Sequence, residues 1–423
     1  MSDQGITINS DRLQARLEQL GEIGALEGGG VSRLALTDAD QLGRDLVVGW
    51  MTQLGLKVKV DAIGNVIGVL AGESDAPCIM MGSHIDTVST AGLFDGNLGV
   101  LAGLEVIETL IESGITPTRP IAVGFFTNEE GSRFAPDMMG SGVFTGALSL
   151  DVALQTQGID GAVVADELKR IGYNGSDKFA LTHKWVSMFL ELHIEQGPVL
   201  DELDMEIGIV EGVQGISWQE FTLTGVSNHA GTTPMAYRHD AGLVAAKVMT
   251  FAHQLANEIS PTQLATVGAL ELQPNLINVI PHTAKFTVDL RNCDEQQLKQ
   301  AETQLMDYLT EQAKAHGLTI ERKVLARFEP VPFNPQLVSR IEALAKAKGQ
   351  ACQRMYSGAG HDAQMFAPHC PTAMIFVPSQ GGISHNINEY TAPEQIAKGA
   401  NLLLETVLEF ACESKEITAC PEV

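Results

Sequence analysis

The sequence predicts an α/β protein with a central, mostly parallel sheet, interrupted by a smaller inserted β-α-β-β-α-β module. Three observations carry this. The runs CIMM, IAVGFF and TAMIFV are continuously apolar, as strands covered on both faces must be. After the first of them, Leu98, Leu101, Leu104, Ile107 and Ile111 recur at helical spacing. From 216 to 326 the pattern changes to the split-βαβ order of a ferredoxin-like module, and the proline-dense FEPVPFNP then returns the chain to the first domain.

Taken in order, residues 10–30 read as a helix that ends in Gly28, Gly29 and Gly30, a loop with no assigned role. A second amphipathic helix covers 42–54 and a strand 64–70. The apolar strand from Cys78 breaks at Gly82 and leads through a polar loop into a helix from Asn97. A strand at 121–127, a polar helix near 160–171 and a strand within VSMFLELHIEQGPVL follow. The inserted module places strands at 216–224, 264–272, 283–290 and 318–326, with helices at 239–257 and 294–316. A helix at 336–348, a strand at 372–377 and a helix at 393–411 close the chain. The domain limits read as 1–214, 215–328 and 329–423.

With 27 Lys and Arg against 52 Asp and Glu, the formal charge is −25, a surface that repels nucleic acid and anionic membranes. The first residues show neither a basic nor an apolar leader region, and no apolar run reaches the roughly 20 residues a membrane helix needs. The six cysteines are scattered without a C-x-x-C, and read as reduced thiols of a cytoplasmic protein.

Five polar side chains fall just after four of the apolar strands: His84 and Asp95, Glu130, His193, and His385. Ligands of open α/β sheets sit at the carboxyl ends of strands. Imidazole plus carboxylate without thiolate suits two divalent metal ions, zinc first, with Mn, Co or Ni compatible. Asp95 is the expected bridge between ions about 3.5–4 Å apart. Glu129, next to Glu130, cannot face the same ion and reads as general base. Asp86, two residues from His84, reads as the carboxylate that orients that imidazole. His183, His239, His253, His282, His316 and His369 lack this context and read as structural or solvent-facing. In the inserted module His229 lies in SNHAGTTPM, Asn278 in LINVIP and Arg291 in DLRN. Arginine suits a substrate carboxylate; a surface ion pair is the competing reading of Arg291.

In GSHIDT with FDG, TNEEGSRF, ELHIEQGPVL, SNHAGTTPM, GAGHDA and SHN, in that order and nearly end to end, the chain resembles the two-metal aminoacylase and carboxypeptidase superfamily. Within it the likeness is to the N-carbamoyl-L-amino-acid hydrolase, β-ureidopropionase and allantoate amidohydrolase branch. The resemblance implies a catalytic domain in two parts with a lid that dimerises, so a homodimer. It also implies one metal on His84, Asp95 and His193, another on Asp95, Glu130 and His385, and Glu129 as base. Gln196, His229, Asn278, Arg291, Gly360 and His361 match substrate-binding positions, and His229 can serve the neighbouring subunit. The implied substrate is a small N-carbamoyl amino acid or another ureido compound. Where many relatives carry GGKFDG or GGRFDG, this chain has AGLFDG, without the basic residue. An N-acyl amino acid hydrolase or dipeptidase with the same metals is the alternative, and a non-catalytic binding protein on this scaffold a third reading.

Overall fold

A computed structural model describes residues 5–177 and 185–412. The chain divides into two compact units, Met1–Glu211 with Phe333–Val423, and Gly212–Pro332. The elements of the first part of the chain are α1 (Ser10–Gly21), α2 (Asp38–Gln53), β1 (Lys57–Val60), β2 (Val66–Leu70), β3 (Cys78–His84), α3 (Asn97–Glu112), β4 (Ile121–Phe126), α4 (Met139–Thr145), α5 (Leu150–Gln155), α6 (Val164–Ile171), β5 (Val186–Ile194), α7 (Val199–Glu202) and β6 (Ile207–Val213). Next come β7 (Gly215–Thr224), α8 (Ala241–Ile259), β8 (Leu264–Thr266), β9 (Leu270–Gln273), β10 (Thr283–Asn292), α9 (Glu295–His316) and β11 (Thr319–Phe328). The chain closes with β12 (Val331–Pro332), α10 (Pro335–Ala347), β13 (Cys352–Ser357), α11 (Asp362–Phe366), β14 (Thr372–Val377) and α12 (Pro393–Ala411).

The larger sheet runs β1-β2-β4-β3-β5-β14-β6-β12, with β13 beside β6. Its centre, β4-β3-β5-β14, is parallel, while β2 joins β4 and β6 joins β14 antiparallel. Every residue of β3, β4 and β14 is buried, because helices cover both faces. Beneath α1, the fully buried Glu105 of α3 accepts hydrogen bonds from the Asn9 backbone N–H at 2.9 Å and from Arg12 Nε at 2.7 Å, so its charge is satisfied where water is absent. On the other face Phe126, Phe144, Phe189 and Phe366 form an aromatic cluster, with Phe189 and Phe366 stacked at 3.9 Å.

In Gly212–Pro332 the sheet runs β11-β7-β10-β8, with β9 also on β10, and all of these pairs are antiparallel. Helices α8 and α9 cover one face around Phe221, Phe286, Leu298 and Leu305. The single strand expected at 264–272 is two short pieces separated by Val267–Ala269. His183, expected to be structural or solvent-facing, lies outside the described residues.

Candidate active site

The parallel register of β4, β3, β5 and β14 brings the ends of four apolar strands to one edge. His84 is the last residue of β3 and His193 the last but one of β5. Asp95 sits on the loop between β3 and α3, Glu129 and Glu130 just beyond β4, and His385 beyond β14. The loop folds Asp95 back over His84 because Gly96 adopts φ 65°. A Cβ there would stand 2.3 Å from His84 Cε1, so only glycine allows the approach.

Asp95 divides its two oxygens. Oδ1 lies 3.2 Å from His193 Nε2 and 3.7 Å from His84 Nε2, while Oδ2 lies 3.2 Å from His385 Nε2. Glu130 Oε2 completes the second group, 3.4 Å from His385 Nε2. Each group has its candidate donor atoms within 4.8 Å of one another. The imidazoles are set from behind: His84 Nδ1 donates to the Asp86 carbonyl at 2.9 Å, and His193 Nδ1 to the Ile194 carbonyl at 2.9 Å. A carbonyl only accepts, so Nδ1 carries a proton in both rings and Nε2 is the nitrogen turned toward Asp95.

Burial pushes His84 down to about 4, so it is neutral at pH 7, as a metal ligand must be. Burial also acts to lower His193, but the hydrogen bond and charge of Asp95 outweigh it and push it up to about 9; a divalent cation would take the place of that proton. Glu130 Oε1 is buried without a hydrogen-bond partner among the described residues. A buried, unsatisfied carboxylate oxygen beside imidazole nitrogens that converge on one carboxylate fits a pair of divalent cations.

Glu129 and Glu130 diverge, since Glu129 Oε2 faces His84 Nε2 at 3.4 Å and not His385. The expectation for Asp86 needs correcting. Its backbone carbonyl orients His84, while its carboxylate accepts from the N–H groups of Glu129 at 3.2 Å and Glu130 at 3.4 Å. Asp86 thus fixes the Glu129–Glu130 loop against the strand that carries His84.

Gln196, at φ 59°, donates from Nε2 to Asp95 Oδ2 at 2.8 Å. With Gly360 and His361 it lines the recess of about 120 Å³ that both ligand groups share. His361 packs edge-on to His193, ring centroids 4.6 Å apart, and its Nε2 meets Ser357 Oγ at 2.8 Å. His229, Asn278 and Arg291 belong to the other unit. His229 Nδ1 accepts from the N–H groups of Gly231 and Thr232, so Nε2–H is the exposed donor. The exposed Asn278 offers its carbonyl to the Ala230 N–H at 2.9 Å. Arg291 pairs with Asp289, two residues earlier on the same face of β10, at 2.9 Å.

Two supports went unread in the sequence. Glu191 accepts from Ser83 Oγ at 2.6 Å and the Ala363 N–H at 2.8 Å; the two-residue step from Glu191 to His193 along β5 was the signal. Glu389 ties two loops together, accepting from the Phe94 and Asp95 N–H groups at 3.1 and 3.2 Å and from Ser384 Oγ at 3.0 Å. The Gly28–Gly30 loop reinforces the same junction. Val31 and Ala91 exchange backbone hydrogen bonds, and Gly30, at φ 75°, lies so close to the His385 loop that a Cβ would meet Ile387 Cα at 2.8 Å.

A carboxylate shared between imidazole nitrogens, with a buried glutamate alongside, is equipment for activating water, and the class it defines is the metal-dependent hydrolases. The profile of Peptidase family M20/M25/M40 matches residues 80–409, and the chain belongs to that family. It is 40% identical over 405 residues to the N-carbamoyl-L-amino-acid amidohydrolase of Rhizobium meliloti, covering 96% of this chain and 97% of the relative. It is 34% identical to the allantoate amidohydrolase of Escherichia coli K12, covering 96% and 99%. Among solved structures, an amidase of the hydantoinase/carbamoylase family from Burkholderia multivorans superposes with a TM-score of 0.93 at 43% identity, covering 96% and 99%.

Proposed function

We propose that the protein hydrolyses the linear ureido C–N bond of N-carbamoyl-L-amino acids or close analogues such as ureidopropionate and allantoate. The division of Asp95 between two imidazole-containing groups, beside the unligated Glu129, is the observation that carries this reading. The curated relatives supply the substrate class.

His84, Asp95 and His193 would hold one divalent cation, and Asp95, Glu130 and His385 the other, with zinc first among the candidates. When bound, the pair polarises the ureido carbonyl and acidifies water. Glu129 takes a proton from the attacking water and returns it to the leaving nitrogen. The amino acid departs, and the carbamate breaks down to CO₂ and ammonia. Gln196 and His361 bound the substrate from the walls of the recess. Arg291 and Asn278 are assigned to its carboxylate and His229 Nε2–H to the developing oxyanion. The Arg291 role requires its guanidinium to be shared with Asp289 or released from it.

We take the inserted unit as the lid and as the surface of a homodimer. Ile277, Leu276, Met235 and Tyr237 are exposed apolar side chains on it, of the kind a partner covers. A reducing, cytoplasmic setting accords with the free thiols of Cys78, Cys293, Cys352 and Cys370.

A zinc-, manganese- or cobalt-supplemented screen tests the reaction. Ammonia release is expected from N-carbamoyl amino acids, ureidopropionate or allantoate, and acetate or amino acid release from N-acetyl amino acids and dipeptides is not. Turnover confined to the acyl or peptide substrates would overturn the reading.

Gly30→Ala tests the loop junction. The added methyl would stand 2.4 Å from the Ala91 carbonyl oxygen and 2.8 Å from Ile387 Cα, so it strains both the loop that leads to Asp95 and the His385 loop, and the cation assigned to His385 should bind about 10- to 100-fold more weakly, in the range seen when ligand supports are removed. The cation assigned to His84, Asp95 and His193 should weaken less, since both of its imidazoles sit on strand ends away from the clash, and metal titration by calorimetry separates the two.

A further inference from the structure

Of the four carboxylates lining the recess, Asp95, Glu129 and Glu130 are taken by the metal and base assignments, and the fourth, Asp137, is not. Its backbone is firmly held. Asn128 Nδ2 donates to the carbonyls of Phe134 at 2.8 Å and Pro136 at 3.2 Å, and the Met138 N–H donates to the Glu129 carbonyl at 2.7 Å. The loop from Glu129 to Met138 is therefore closed on itself, and Asp137 is fixed relative to Glu129. Among the described residues no Lys or Arg lines the recess, and no cation is paired with the Asp137 carboxyl. Asp137 is exposed at the rim of the recess, where partial loss of water raises its carboxyl above the ordinary range.

An exposed carboxylate at the rim of a substrate recess, on a held backbone and without a protein cation, has its complement on the substrate. We infer that Asp137 is a specificity-determining residue: it selects ureido substrates whose side chain carries an N–H donor or a cation, and disfavours those with a second carboxylate. This deepens the ureido reading and rests on it. The favoured class comprises side chains ending in an ammonium, a guanidinium, an amide or a second ureido group. Discrimination by one charged hydrogen bond, with repulsion of the wrong partner, is on the order of 10- to 100-fold.

The test compares kcat/KM for N-carbamoyl-L-lysine, -glutamine, -methionine and -glutamate, with the methionine derivative as reference. In the native protein the lysine-to-glutamate ratio should be at least about 30, with glutamine above glutamate. Asp137→Asn should lower the lysine-to-glutamate ratio about tenfold or more, and Asp137→Lys should put glutamate above lysine. Native ratios near one, or ratios that both variants leave unchanged, overturn the inference. So does a parallel fall on all four substrates with loss of bound metal, which would make Asp137 a ligand. Failure of the ureido reading looks different, because the native protein would then release ammonia from none of the four.

Discussion

Glu129→Gln is expected to lower kcat by about 10³-fold, within the 10²- to 10⁴-fold range that general acid–base catalysis contributes, while metal content stays that of the native protein. The substitution keeps the shape of the side chain, and the Glu129 N–H still reaches the Asp86 carboxylate. What it removes is the ability to take a proton and return it. Glu129 is well suited to both halves of that task. It is buried, and burial first, then the negative charges of Asp362, Glu130 and Asp95, raises its carboxyl well above the ordinary range, so that it accepts a proton more readily than an exposed glutamate. Its Oε2 lies 3.4 Å from His84 Nε2, on the assigned metal side of the recess and away from the second group. KM should change only a few-fold, since the lost interaction belongs to the transition state. Ammonia release measured beside elemental analysis of the same sample decides it. Native kcat in the Glu129→Gln variant would remove Glu129 from the base role, and low kcat with missing metal would make it a ligand.

The parts legible in the sequence were those where one physical demand dominated. β14 and α12 begin and end where their residues imply, because TAMIFV can only be buried and the helical apolar spacing after Pro393 is uninterrupted. The strand-end histidines stood out because an ionisable group directly after a wholly apolar run has few other uses. Where demands competed, the reading failed. The first helix stops at Gly21 and not at 30, since the glycines at 24, 28, 29 and 30 all take left-handed φ and form a turn. β6 and β13 went unread because IGIVEGV carries two glycines and CQRMYS is half polar at the sheet margin. α4, MGSGVFT, is a helix only because tertiary packing overrides its glycines. In the site, the pattern located Asp86 but could not tell whether its carbonyl or its carboxylate would face His84. The contact between Gly30 and Ile387 joins loops distant in the chain and has no local signature.

Asp95→Asn is expected to abolish turnover and to weaken both cations at once, by at least about 100-fold each, since loss of even a supporting partner costs 10- to 100-fold in affinity. Asp95 is buried and yet charged. Burial acts against its ionisation, but the hydrogen bonds of His193 and His385 hold its carboxyl well below the usual carboxylate range. Asparagine fits the space and can still meet Gln196 and Ser384. It presents one oxygen and one N–H₂, however, so one of the two cation positions loses its oxygen ligand, and neither faces a negative charge. The contrast with single-sided variants makes the test specific. His84→Ala should weaken one cation and His385→Ala the other, each leaving its counterpart in place, whereas Asp95→Asn should weaken both. Thermal melts with and without added zinc give an independent reading, because a cation that binds only the folded state raises Tm further the more tightly it binds. The zinc-induced rise should persist in part in each histidine variant and vanish in Asp95→Asn. If the asparagine variant takes up two ions with native affinity, or loses only one, then Asp95 does not bridge, and the division of its oxygens between His193 and His385 has another cause.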